Sequence, residues 1–106
     1  MQTKPENDTD LRLKVNRETA RLAWSELLKH FAAGTVVLVS NELDLVDVAV
    51  RISHDDKNNI ALWMSEGKIA KVSDRQAQEW LEADTQLWAV VVSPFVLVQR
   101  EKRTVH

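Results

Sequence analysis

The hydrophobic positions of this chain fall into short blocks whose spacing switches between helical and extended. Leu11, Val15 and Leu22 lie near one helical face with Asp10 as N-cap, although Leu11, Leu13 and Val15 also alternate as a strand would. Ser25 can cap a second helix, "ELLKHFAA", with Leu27, Leu28 and Phe31 as its stripe and Gly34 as the left-handed residue that ends it. "TVVLVS" is a strand, β-branched and nearly continuous, as a strand covered on both faces should be.

"NELDLVDVAVRISHDD" fits two periods. Leu45, Val48, Ala49 and Ile52 suit a helix, whereas Val46, Val48, Val50 and Ile52 suit a strand. Helix is the expectation, because Glu42, Asp44 and Asp47 gather where the positive end of a helix dipole favours them. Asp55 or Asp56 caps a further helix bearing Ile60, Trp63 and Met64, closed by Gly67. "KIAKV" is a short strand, and Ser73 with Gln76 forms a capping box for a helix carrying Ala77, Trp80 and Leu81. "FAAGTVVLVS" and "MSEGKIAKVS" share their glycine, two β-branched positions and the final Val-Ser, which suggests two α-β units on one sheet, with a helical crossover if their strands run parallel.

The stretch "LWAVVVSPFVLVQ", Leu87 to Gln99, is apolar but for Ser93, Pro94 and its end. The favoured two-residue hairpins need positive φ, which proline's ring forbids, so one long strand kinked at Pro94 or two strands joined by a wider corner is expected. The missing N–H must then face an edge or a bulge. An apolar edge has to be covered, and Phe95, Leu97 and Gln99 are the residues expected to meet a second copy in a symmetric dimer.

Composition narrows the class. The 106 residues are 44% apolar and 28% charged with two Gly and two Pro, as in one compact domain, and the order of elements makes it α/β, with α+β as the variant. The expected architecture is a mixed sheet of three to four strands with four to five helices over residues 10–100, between flexible tails at 1–9 and 101–106. There is no cysteine, so disulfides and thiolate metal sites are excluded. The longest apolar run, about 12 residues, is short of the roughly 20 needed to span a membrane, and "MQTKPENDTD" lacks a secretory h-region; cytoplasmic location is the expectation. A net charge of −2 gives no general attraction to nucleic acid. Five bases among residues 11–30 and five acids among 41–56 could attract one another, but two solvated faces are the simpler expectation.

Motifs for chemistry are sparse. No phosphate loop, dinucleotide glycine motif, HExxH or serine elbow is present, and no cofactor is expected. "SHDD" is the one candidate: His54 as general base or metal ligand with Asp44, Asp47, Asp55 and Asp56. Acids at helix starts are ordinary caps, so capping outweighs catalysis and no metal is expected there. His30 is expected on a helix surface, and Trp24, Trp63, Trp80 and Trp88 in packing rather than base stacking. Trp63, Trp80 and Trp88 are expected to share one core with Phe31 and Met64 near them.

"ETARLAWSEL", "LDLVDVA" and "LWAVVVSPFVLVQ", in this order within residues 11–100, resemble the small bacterial proteins of the domain of unknown function family 2288. The resemblance implies a single-domain bacterial α/β protein and no activity. The leading expectation is a non-enzymatic module that self-associates or docks on a protein partner. A small metal-dependent or acid/base hydrolase using the acidic cluster is the alternative. Nucleic-acid binding through the basic N-terminal helix or C-terminal tail is third.

Overall fold

The computed structural model describes residues 8–101. In chain order they form helix α1 (Asp8–Glu18), strand β1 (Ala20–Ala23), a 3-10 turn (Trp24–Leu27), α2 (Leu28–Ala32), β2 (Val36–Val39), α3 (Leu45–Ser53), α4 (Lys57–Ser65), β3 (Ile69–Lys71), α5 (Asp74–Glu82), β4 (Gln86–Val92) and β5 (Phe95–Arg100). The strands make one mixed sheet in the order β1-β4-β5-β2-β3, antiparallel except where β2 runs parallel to β5. The fold class is the expected α/β, with five strands rather than three or four.

Local chemistry explains most of the boundaries. Asp44 caps α3 by accepting from the Val46 N–H at 3.2 Å, and Asp56 caps α4 through the Asn59 N–H at 3.3 Å. Ser73 and Gln76 form the expected capping box on α5, Gln76 N–H to Ser73 Oγ and Ser73 N–H to Gln76 Oε1, each at 3.1 Å. Gly34 and Gly67 sit at φ 76° and 73° after α2 and α4, where a Cβ would be disfavoured.

Several expectations change. Asp10 lies inside α1, which starts by Asp8, so it is not the cap; of the tail expected over 1–9, residues 1–7 lie outside the described residues, as do 102–106 of the other tail. Leu22 belongs to the short strand β1 rather than to a helical face, because "ARLA" pairs with β4. Ser25 falls within the 3-10 turn, whose cap position is Ala23. The two glycine-strand segments are antiparallel neighbours, so no crossover joins them; the parallel partner of β2 is β5.

The largest correction concerns Pro94. Val92 faces Phe95 across the ladder, leaving Ser93 and Pro94 as a two-residue turn joined by a cis peptide. A tight turn with cis proline at its third position needs no positive φ, and it keeps the proline out of the ladder. β5 is therefore no edge: β4 flanks it on one side and β2 on the other.

Its apolar run is continuous because both faces are covered. Val96 and Val98 face one core with Trp24, Leu27, Val36, Val72, Ala77, Trp80, Leu87 and Ala89, under the 3-10 turn, α2 and α5. Leu97 faces the other with Val15, Val39, Leu45, Val48, Ala49, Val50, Ile69 and Val90, under α1, α3 and α4. The tryptophans do not share one core. Trp24 stacks edge-on against Phe31 (5.5 Å) and Trp80 (5.1 Å) in the first core, while Trp63 is half-buried beside the second. Trp88 is 37% exposed and Met64 62%. Trp24 Nε1 is buried without a hydrogen-bond partner.

This arrangement sorts the aromatic residues by energetic weight. Trp24→Ala and Trp80→Ala should each lose about 3–5 kcal/mol in denaturant unfolding, the range for removing a large buried aromatic. Trp88→Ala should shift the midpoint far less, and equal losses at the three sites would contradict the exposed placement of Trp88.

Candidate functional site

The acids expected to form a site lie at both ends of α3, Asp44 and Asp47 at its start and Asp55 and Asp56 in the connection to α4 just past His54. Asp44 caps the N-terminus of α3 and His54 is its C-cap, ten residues on, which at the helical rise is about 15 Å apart. A shared helix side does not bring such residues together. Asp47 is taken by Arg12 of α1, with Arg51 at 3.9 Å, so the basic and acidic segments do meet through one ion pair. Asp55 has φ 55° and an exposed ion pair to Lys57 at 3.8 Å. Asp56 holds Asn59 by both backbone and side chain, the latter at 2.8 Å, with Arg51 at 3.9 Å. Among the described residues, no group of three or more His, Cys, Asp or Glu is placed to hold a metal ion. Axial distance along α3 separates Asp44 from His54, and the geometry lends the hydrolase alternative no support.

The Asp56 carboxyl is held below its ordinary value of 3.8, first by the Asn59 side-chain amide, then by the Asn59 backbone N–H, with Arg51 and His54 adding to it and partial burial opposing it. A lowered folded-state pKa stabilises above the unfolded value and is lost as pH falls through the folded one. The stability gap between wild type and Asp56→Ala should be full near neutral pH and close below pH 3.8, followed by urea unfolding at several pH values. A gap that widens on acidification would refute the assignment.

The expected interface residues part company. Phe95 is 39% exposed, but Leu97 is fully buried and Gln99 is 7% exposed, both inside the chain, so neither is free to meet a second copy. Their alternation was legible; what it missed was the neighbour on each side. His30 is exposed on α2, as expected.

Among the concavities of the sheet face that carries α1, α3 and α4 are two at opposite ends of α3. The first, about 200 Å³, is a groove lined by Val37, Ile52, Ile60, Met64, Ile69, Ala70 and Phe95, with Lys71 its one charged residue. It runs beside β3, an edge strand. Nothing local in the sequence announces this groove, because its walls come from four elements and the β5 start. The second, about 290 Å³, is a cleft lined by Asn16, Thr19, Asp44, Leu45, Val46, Trp88 and Gln99. Arg21 lies over the Trp88 ring, 6.0 Å from its centroid, and pairs with Glu101 at 2.8 Å. The tryptophans build no stacking platform, since Trp24 and Trp80 are buried behind the sheet.

Five mixed strands with helices on both faces, and a groove and a cleft on one of them, define a small two-core α/β protein. The chain belongs to the family described as "Protein of unknown function (DUF2288)", which matches residues 10–100. It is similar to PA1075 from Pseudomonas aeruginosa, solved in solution by NMR, at 41% identity with all of both chains covered and a TM-score of 0.77. No curated protein matches the chain.

Proposed function

We propose that this protein is a non-catalytic interaction module of the bacterial cytoplasm that pairs with a second copy of itself along β3 and the groove beside it. The observation that carries the reading is an apolar groove, with Met64 62% and Phe95 39% exposed, lying next to the unpaired outer edge of β3. Bare edges and apolar patches together mark surfaces that associate.

A second copy suits this surface by symmetry. β3 pairing antiparallel with its own counterpart about Ala70 sets Ile69 opposite Lys71 of the other copy, so no like charges oppose one another within the strand. Such a two-fold contact brings both grooves to the same seam, which is what an isologous interface requires. The acids of α3 and α4 favour this over catalysis, being engaged in caps and ion pairs. No helix among the described residues is long and apolar enough to cross a membrane.

Light scattering across micromolar concentrations should give a dimer mass for wild type and a monomer for Met64→Glu, with the variant still folded and unfolding cooperatively because Met64 is exposed. A wild-type monomer throughout that range overturns the pairing. A monomer whose groove instead takes up an extended peptide would replace the second copy with another protein.

A further inference from the structure

The groove beside β3 carries a charge that pairing with a second copy leaves unused. Its floor is Ile69, 5% exposed, and its sides include Ile52, Ile60, Met64 and Phe95. Among the described residues no acid lines it, and Lys71 is its one charged residue. Lys71 and Ile69 are two apart on β3 and so stand on the same face of the sheet. Lys57 is paired with Asp55, and Lys68 with Glu42 and Glu66, whereas Lys71 makes no ion pair among the described residues. A cation without a counter-charge thus borders an apolar hollow.

Those walls select among ligands. A sugar or nucleotide would give up its water to aliphatic side chains and regain few hydrogen bonds. A plain hydrocarbon would fill the hollow and leave the ammonium unanswered, and a cationic amphiphile would be repelled by it. An anionic head on an alkyl tail satisfies both. The hollow holds about 200 Å³, below the roughly 300–1,000 Å³ of sites for drug-sized molecules, which suits one short chain and not a two-chain lipid. We infer that the groove binds a free alkyl monocarboxylate of medium length, its tail against Ile52, Ile60 and Ile69 and its carboxylate on Lys71. A second copy would lie over the same walls, so the two occupants exclude one another and the ligand switches the oligomeric state. That switch, unlike the binding, rests on the pairing proposed above.

The probe is octanoate below its micelle threshold, titrated into the full chain by ¹H–¹⁵N NMR beside hexanoate, octanol and octyltrimethylammonium. Octanoate should saturably move the amides of Ile69, Ala70 and Phe95 with a Kd of about 1 mM or tighter. Hexanoate, two methylenes shorter, should bind about tenfold more weakly. Octanol should also lose about tenfold, and the ammonium should leave these signals in place. Lys71 is exposed, so Lys71→Gln should fold; it should bring octanoate down to the affinity of octanol and leave octanol unchanged. Saturating octanoate should turn the dimer mass in light scattering into a monomer mass. A chain that is monomeric throughout yet binds octanoate through Lys71 removes the pairing and keeps the site. Shifts that never saturate, octanol or octyltrimethylammonium binding as octanoate does, or Lys71→Gln binding as wild type would each overturn the site, as would binding to phosphatidylglycerol vesicles without binding to free octanoate. A dimer that persists with octanoate bound would overturn the switch.

Discussion

Everything in this structure hangs on covering the β4–β5 hairpin on both faces. The hairpin occupies the middle of the sheet, and its side chains alternate between two cores, so neither set of helices is dispensable. Fully burying a Val or Leu side chain is worth about 1.5–3 kcal/mol, and Leu87, Val90, Leu97 and Val98 are each at or near full burial. The helices on the two faces are accordingly different in character. One face is closed by aromatic packing around Trp24 and Trp80, the other by the aliphatic row of α3.

How much of this could be read from the sequence depended on range. Caps and glycine stops are local chemistry, and Asp44, Asp56, Ser73, Gly34 and Gly67 do what their residue types suggest. The helical choice for "LDLVDVAVRIS" was legible for the same reason, since its acids sit at the end where the dipole favours them. β1 was not, because four residues reading "ARLA" become a strand only by pairing with β4, some 65 positions away. The tryptophans were assigned to one core because periodicity gives the buried side of an element and not which side of the sheet receives it. The acidic cluster looked like a site for a related reason: sequence proximity hid the length of the helix between Asp44 and His54.

Groove and cleft share one layer, both opening on the face of α1, α3 and α4 at opposite ends of α3. α3 is well suited to stand between them. It is tied at its start by the Asp44 cap, at its first turn to α1 through Asp47 and Arg12, and along its length by Val48, Ala49 and Val50, all of which are fully buried. Two surfaces of different chemistry are thus held at a fixed separation by one rigid element.

Gln99 has a further consequence, for the alignment of the strands. Among the aliphatic residues of β5 the hydrophobic effect discriminates poorly, since Val96, Leu97 and Val98 would each be content in either core. A slip of β5 by one position would change little in buried apolar area, but it would carry the Gln99 amide to the side of Trp24 and Trp80, away from the Ser40 and Leu43 carbonyls it now satisfies. Each polar group stranded in this way costs about 1–3 kcal/mol. A single amide at the end of an otherwise interchangeable run thereby makes the slipped sheet the less stable one, and gives a sequence of near-synonyms a unique alignment.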